Sequence, residues 1–389
     1  MSTKALMNTY GERAITLTRG EGMYLWDDQG RRYLDALSGI AVCALGHCHP
    51  AFTQAVTEQV QTLVHVSNLY NIQPQEKLAE QLCEMSGMEK VFFSNSGAEA
   101  NEAAIKLARK YGNDQGIQNP TVITMAGSFH GRTLATLSAT GNPKVQKGFE
   151  PLVSGFLQVP YNDVAAIRAL ATQHKNIVAI LVEPVQGEGG IKIPATTYLN
   201  ELRDICDQNN WLLMLDEIQT GNGRTGRYFA YQHNGIKPDV VTTAKGLGNG
   251  LPIGACLARG KAADVFQPGN HGSTFGGNPL ACHGASAVVD TLNKEGLIDN
   301  AAKQGQYMLA QFKKTLANNS KVADIRGLGL MIGIQLTQDC PELVSKAIEN
   351  GILINVTAGN TIRLLPPLIL SQSDADIIVE KVTALINAL

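Results

Sequence analysis

Short apolar runs that alternate with amphipathic stretches constrain this chain more than any other feature. Runs at 91–93, 122–125, 178–182, 212–215 and 240–243 are too short for helices, and stretches with helical spacing at 98–111, 163–174 and 198–209 lie between them. A short run that is apolar throughout reads as a strand covered on both faces. Repeated alternation of such strands with helices argues a parallel sheet with helices packed on either side. Further helical stretches fall at 52–64, 75–86, 279–293 and 297–316. Upstream, 23–34 reads as a β-hairpin closed by Asp27-Asp28-Gln29-Gly30. After 316 the pattern changes: short strands at 331–336, 352–356 and 361–365 mix with helices at 342–349 and 374–388. The expected architecture is α/β, with a large domain (51–300) whose mostly parallel sheet is covered by helices. A small α+β domain is expected from the N-terminal segment (1–50) and the C-terminal segment (301–389).

Composition bounds the partners. With 32 Lys and Arg against 34 Asp and Glu, the net charge of −2 offers no basic excess for nucleic acid or anionic lipid. Small-molecule substrates are expected instead. The 389 residues, 44% hydrophobic and 17% charged, describe an ordinary globular chain with ample core. No apolar run approaches membrane-spanning length, and Met1 to Asn8 lack the apolar stretch of a signal peptide. The seven scattered cysteines include no Cys-x-x-Cys pair, which fits a reducing, cytoplasmic setting. His47-Cys48-His49 has the look of a metal cluster, but three adjacent residues cannot all turn to one ion and no second ligand group follows, so no metal site is expected.

Chemistry gathers where the strands end. Lys245 closes the run 240–243 and precedes glycines. A lysine amine at the end of a buried strand is partly desolvated, which lowers its pKa and frees it to form an imine with a carbonyl. Alone, such a residue reads as a solvated strand end. The run 212–215 changes the reading, because it is closed by Asp216 and Glu217. An acid and an amine delivered to one sheet edge suit pyridoxal phosphate, whose ring nitrogen needs a carboxylate and whose aldehyde needs an amine. Ser96-Gly97-Ala98-Glu99 joins a strand to a helix with the spacing of a capping box, and Gly97 leaves room for an anion at the helix N-terminus. Ser128-Phe129-His130-Gly131-Arg132 follows another strand, so that Phe129 could lie against a planar ring and Arg132 could clamp a carboxylate. The glycines at 246, 248 and 250 depart from the dinucleotide-binding spacing, and 221–226 lacks the ending of a P-loop.

These stations together resemble the class III aminotransferases of pyridoxal-phosphate fold type I. The resemblance spans nearly the whole chain. It includes Gly46-His-Cys-His-Pro50, Glu183-Pro-Val-Gln-Gly-Glu188, Asp216-Glu-Ile-Gln-Thr-Gly221, Gly223-Arg-Thr-Gly226, Ala244-Lys-Gly-Leu-Gly248 and Gly272-Ser-Thr-Phe-Gly-Gly-Asn-Pro279. It implies that Lys245 carries the cofactor, Asp216 pairs with the pyridinium nitrogen and Gln219 hydrogen-bonds the ring hydroxyl. It further implies that Ser96, Gly97 and Ala98 cradle the phosphate, Phe129 stacks on the ring, and Ser273 and Thr274 complete the phosphate cup from a second subunit. A homodimer with shared sites is therefore expected. Tyr10 and Arg132 are expected on the substrate's distal carboxylate, and Ser273 also beside the substrate. Arg363 and Glu188 are expected to exchange partners between half-reactions, with 2-oxoglutarate accepting the amine.

The class serves several terminal-amine donors: ornithine, N2-acylated ornithines, succinyl-diaminopimelate and 4-aminobutyrate. Gly39-Ile-Ala-Val42 and Ala44-Leu-Gly-His47 resemble the members that take an N2-acylated ornithine. Ile40 replaces a tyrosine of the ornithine-specific members and argues against a free α-amine. A cofactor-binding regulator without turnover is the reading outside enzymes, and joint retention of Lys245, Asp216, Arg132 and Arg363 argues against it. Asn249 and Cys43 depart from the family pattern and read as background variation.

Overall fold

The structure is a computed structural model that describes residues 5–11 and 13–389, so the reading of the first eight residues falls partly outside it. In chain order the strands are β1 (Leu17–Glu21), β2 (Tyr24–Asp27), β3 (Arg32–Asp35), β4 (Lys90–Ser94), β5 (Thr121–Met125), β6 (Phe156–Val159), β7 (Ile177–Val182) and β8 (Leu212–Asp216). They continue with β9 (Val240–Thr243), β10 (Gly254–Ala258), β11 (Val322–Leu328), β12 (Met331–Leu336), β13 (Ile352–Leu353), β14 (Asn355–Thr357) and β15 (Thr361–Leu364). Seven strands form the central sheet in the order β4-β10-β9-β8-β7-β5-β6. Only β10 runs antiparallel to its neighbours. Strands β5, β7, β8, β9 and β10 are buried along their whole length, which is why they read as continuous apolar runs rather than alternating ones. Strands β6 and β10 were not evident in the sequence. Phe156–Val159 is a half-exposed edge strand, and Gly254–Ala258 is rich in small residues with weak β preference.

Two four-stranded sheets complete the fold. One carries the expected hairpin, β2 and β3, but β1 adds to one side and β13 pairs in parallel with β3, Ile352 opposite Leu34. The run expected as one strand over 352–356 is thus divided between two sheets: β13 joins the N-terminal segment, while β14 joins β11, β12 and β15 in the order β11-β12-β15-β14. This division physically ties the two ends of the chain together. Helices Leu297–Thr315 and Gln372–Asn387 pack against each other, and Leu297–Thr315 also packs on β11. Among the described residues no helix is long and apolar enough to cross a membrane.

One segment between the N-terminal sheet and the central sheet has an unusual backbone. Ser38, Gly39, Ile40 and Ala41 all hold positive φ, at 47°, 64°, 67° and 61°, a conformation costing L-residues on the order of 1–2 kcal/mol each. Asp35 holds its start, accepting from the N–H groups of Leu37 and Ser38 at 2.9 and 2.8 Å, and its other oxygen lies 2.8 Å from His47 Nε2. Asn249, also at positive φ (45°), accepts from Leu45 N–H at 2.8 Å. Asparagine tolerates that φ, so Asn249 is a tether for the 45–46 turn and not background variation. Cys43 lies near enough to His47 to favour its charged form. The metal-like trio disperses: His47 turns to Asp35 and His49 to Glu295.

Burial opposes the charge of His47, but the Asp35 hydrogen bond, with Cys43 beside it, outweighs burial and lifts the imidazolium pKa to about 9. Because the folded value lies above the ordinary one of about 6.5, this stabilisation is complete below pH 6.5 and disappears as pH rises through 9. Urea unfolding at pH 6 and pH 9 is expected to show this decline, and His47→Gln to flatten it. An unchanged pH slope in the variant would refute the assignment.

Candidate active site

The C-terminal ends of β4, β5, β7, β8 and β9 point to one edge of the central sheet and enclose a cavity of about 410 Å³. Parallel strands deliver the residues that follow them to the same side, so side chains distant in sequence meet there. Antiparallel β10 begins at this edge, which is why the approach to it, from Gly250 to Ile253, also lines the cavity.

Lys245 follows β9 and lines the cavity with its backbone at φ 44°, in the left-handed region. Such a backbone in a non-glycine residue costs of order 1 kcal/mol and persists only where its surroundings enforce it. Asn222 supplies part of that enforcement, donating to Thr243 Oγ1 at 2.9 Å and to the Ala244 carbonyl at 3.1 Å. Burial lowers the pKa of the Lys245 amine; Glu188, Asp216 and Glu183 pull it back up, and Arg363 pushes it down. The desolvation expected from the sequence is therefore present.

Asp216, at the end of β8, is 4% exposed. Its Oδ2 lies 2.8 Å from both Asn101 Nδ2 and His130 Nδ1, and its Oδ1 accepts from Ile218 N–H at 3.1 Å. Asn101 is oriented in turn by Thr242, whose hydroxyl donates to Asn101 Oδ1 at 2.7 Å. Glu217 points elsewhere: it accepts from the Ala230 and Tyr231 N–H groups and from the Thr220 hydroxyl. The two adjacent carboxylates thus divide, one facing the cavity and one fixing a loop. Gln219 lines the cavity as expected.

Ser96 caps the helix Gly97–Asp114, its Oγ accepting from Glu99 N–H at 3.2 Å. The expected capping box is displaced by one residue, since Glu99 reaches past Ser96 to the Asn95 N–H at 2.6 Å. The first intrahelical bond runs from Ala100 to the Ser96 carbonyl, so the N–H groups of Gly97 and Ala98 remain at the cavity end as anion donors. Gly97 is glycine for packing as well as access: a Cβ there would meet Ile218 Cδ1 at 2.8 Å.

Glu188 lines the cavity, and its Oε1 lies 2.5 Å from the guanidinium of Arg363 on β15, which is 1% exposed and is not itself among the lining residues. Asn355 Oδ1 accepts from Arg363 Nη2 at 2.8 Å, and Gln219 Oε1 lies 3.5 Å from Nη1. Phe129 lines the cavity, with the Arg132 guanidinium 5.6 Å from its ring centre. Arg132 is exposed and has room to reach a ligand. Ser273 and Thr274 do not line this cavity, although Ser273 Oγ accepts from Asn95 Nδ2 at 3.2 Å. Tyr10 lies apart, 82% exposed, its ring 5.8 Å from the Arg13 guanidinium carbon.

Three residues here were not singled out from the sequence. Asn101 and His130 act through hydrogen bonds between distant elements, and neither position carries a local signal beyond its motif. Glu183 had the same signal as Asp216, a carboxylate closing an apolar run. It is buried and accepts from the N–H groups of Phe129 and Gly187, and burial pushes its pKa up to about 7.

The donor set fits pyridoxal phosphate. A desolvated lysine amine, a buried carboxylate held by two donors, an aromatic ring and a helix N-terminus surround one cavity. His130 Nε2 is buried there without a partner among the described residues.

The chain matches the family described as "Aminotransferase class-III" over residues 6–386. It is 58% identical to an acetylornithine aminotransferase of Nitrosomonas europaea, covering 98% of this chain and 97% of that one. The solved acetylornithine aminotransferase of Elizabethkingia anophelis superposes with a TM-score of 0.88 at 34% identity, over 99% of this chain and 97% of that one. An ornithine aminotransferase structure from Toxoplasma gondii, described with partial occupancy of PLP at its active site, gives 0.95 at 33% identity, over 99% and 92%. The chain belongs to the class III aminotransferases, a pyridoxal-phosphate-dependent family.

If the Lys245 amine carries the cofactor and moves the proton, as its place in the cavity suits, Lys245→Ala is expected to lower turnover ~10²- to 10⁴-fold or more. The variant should still bind pyridoxal phosphate through the helix N-terminus but give no borohydride-fixed adduct. Mass spectrometry after reduction checks this, and a retained adduct would assign the role to another lysine.

Proposed function

We propose that this enzyme moves the terminal amino group of N2-acetylornithine to 2-oxoglutarate, giving N-acetylglutamate 5-semialdehyde and glutamate, a step of arginine biosynthesis in the cytoplasm. The observation that carries the proposal is the Arg363–Glu188 pair at the cavity. A terminal-amine donor places only methylenes beside the reacting centre, so a buried guanidinium there needs a protein carboxylate to neutralise it. Glutamate and 2-oxoglutarate bring an α-carboxylate to the same place, and Glu188 then yields Arg363 to it. Arg132, exposed beside Phe129, takes the distal carboxylate of either substrate. The relatives named acetylornithine aminotransferase support the acylated donor, as does the apolar Ile40, packed against the cluster of Ala41, Val185, Ile191, Met331 and Leu365.

Pyridoxal phosphate, when bound, supplies the electron sink that makes the proton on the amine-bearing carbon acidic. The residues available to hold it are Lys245, Asp216, Gln219, Phe129, Ser96, Gly97 and Ala98. Asp216, fixed by Asn101 and His130, would face the ring nitrogen and keep it protonated. The Lys245 amine would take the proton from the substrate carbon and return it as the amino group is transferred.

The reading includes a homodimer in which Ser273 and Thr274 complete the phosphate site of the second subunit. Asn68 donates to the carbonyls of Ser273 and Gly276, which ties the segment carrying exposed Leu69 and Tyr70 to the one carrying Thr274 and exposed Phe275. Dilution to monomer is expected to weaken cofactor retention together with activity. Sedimentation and activity measured on one dilution series check it, and a fully active monomer contradicts it.

Single-turnover rates for each half-reaction test the substrate reading. Arg363→Ala is expected to damage the glutamate/2-oxoglutarate half far more than the acetylornithine half, because loss of a charge-assisted pair in a dry site costs on the order of 2 to 5 kcal/mol. Glu188→Ala should shift the balance the other way, and Arg132→Ala should impair both halves. Equal losses in both halves for Arg363→Ala would mean that the donor's reacting amine is not terminal.

A further inference from the structure

Glu183 enters the chemistry above only as one of the charges that raise the Lys245 pKa, yet it is 6% exposed and lines the cavity. Its two carboxylate oxygens serve different loops. Oε1 accepts from the N–H of Phe129 at 3.0 Å, in the loop after β5, and Oε2 accepts from the N–H of Gly187 at 3.2 Å, in the loop after β7. Phe129 is the aromatic wall of the cavity, and Gly187 immediately precedes Glu188, the residue paired with Arg363. The carboxylate is itself fixed at its root, because the Tyr161 hydroxyl lies 3.0 Å from the carbonyls of both Glu183 and Pro184.

The loop bearing Glu188 has other ties, one of which also reaches the loop after β5: Gln186 Nε2 donates to the Ala126 carbonyl at 2.9 Å, three residues before Phe129. Thr357 Oγ1 donates to the Glu188 carbonyl at 2.6 Å, and Gln186 and Lys192 exchange backbone bonds at 3.1 Å. Gly187 also sits hard against Gln219, where a Cβ would lie 2.3 Å from Oε1. A small displacement of the Gly187 backbone would therefore be felt by Gln219 and Glu188 together. A buried carboxylate used only for packing is costly, since burial disfavours its charge. One that accepts two backbone N–H groups regains much of that cost.

We infer that Glu183 is a positioning residue of the transamination, bolting the Phe129 loop to the Gly187–Glu188 loop so that Glu188 is aimed at Arg363. The inference rests on the proposed exchange of Arg363 between Glu188 and a substrate carboxylate. Glutamine at 183 keeps the shape and one acceptor oxygen, but its amide nitrogen faces a backbone N–H and one of the two bonds is lost. The Glu188 loop then loosens from Arg363, and the variant behaves as a weaker form of Glu188→Ala.

The test compares Glu183→Gln, Glu183→Asp and Glu188→Ala as holoenzymes, measuring single-turnover rates for the acetylornithine and the 2-oxoglutarate halves, with thermal melts alongside. The ratio of the two rates is expected to move toward the 2-oxoglutarate half, roughly tenfold in Glu183→Gln and less than in Glu188→Ala. Aspartate keeps the charge but is too short to span both N–H groups, so it should shift the ratio in the same direction and carries the test if glutamine prevents folding. A role in stability alone would lower the melting temperature and slow both halves by one factor, and that result overturns the inference. If Glu188→Ala moves the ratio and neither Glu183 variant does, the inference fails and the substrate reading stands. If Glu188→Ala leaves the ratio unmoved, the exchange itself fails and takes the inference with it.

Discussion

Arg363 is a cation almost wholly removed from water, and the architecture around the cavity is arranged to tolerate it. An unpaired charge so buried costs several kcal/mol, so the partners of this guanidinium had to be collected from separate parts of the chain. Asn355 comes from β14, beside it in the same sheet, whereas Glu188 and Gln219 come from the loops after β7 and β8. The small sheet is therefore joined to the loops of the central sheet through this charge, alongside Arg326, which donates to the Ile191 carbonyl at 2.7 Å, and Thr357, which donates to the Glu188 carbonyl at 2.6 Å. Close packing supports the junction: Gly333, opposite Arg363 in the sheet register, leaves no room for a Cβ because Ile191 Cβ would lie 2.9 Å from it. Glu188 has 36% of its side chain open, so it can return to water at little cost. On the proposed exchange, it is also the partner that leaves.

A second buried guanidinium shows the opposite design. Arg224, 2% exposed, donates to the carbonyls of Leu330 and Pro366 at 3.1 and 2.5 Å and lies 3.4 Å from Ser38 Oγ. Burial lowers its pKa to about 9, although the Asp35 charge opposes that shift. None of its direct partners is a carboxylate, and none is free to move. Its contacts bind the left-handed turn at 38–41 to the strand ends flanking β12 and β15. The glycine-rich segment 221–226, dismissed as a phosphate loop in the sequence, earns its glycines by supporting this clamp and by meeting Phe229 and Ala302 closely.

What the sequence disclosed follows from how local each signal is. Buried parallel strands announce themselves as apolar runs, and the residues that close them, Lys245 and Asp216, reach the cavity as expected. The helix cap at Ser96 is similarly local. Strand β10 gives no strand signal because its pairing, not its composition, makes it a strand, and the 352–356 run reads as one strand because its division between two sheets is a tertiary fact. Asn249 and Cys43 were set aside because an asparagine at positive φ and a thiol beside a charged histidine acquire meaning only from neighbours distant in sequence. Tyr10 was expected at the substrate from family likeness alone, and it lies exposed in the single chain. Glu183 was legible and overlooked, since Ile177–Val182 ends in a carboxylate just as β8 does.

The electrostatics of Lys245 connect these pieces. Burial is the largest influence on its amine, and Glu188 is the strongest of the charges that counter it, with Arg363 opposed. On the proposed exchange, Glu188 moves away when a substrate carboxylate takes its place on Arg363. One negative charge leaves the neighbourhood of Lys245 as another enters, and the guanidinium stays paired in both states. The amine consequently experiences a similar field in each half-reaction, although the two substrates differ by a full charge beside the reacting carbon. A single lysine can then act as proton carrier for both at one pH, which a fixed, permanently unpaired arginine would not permit.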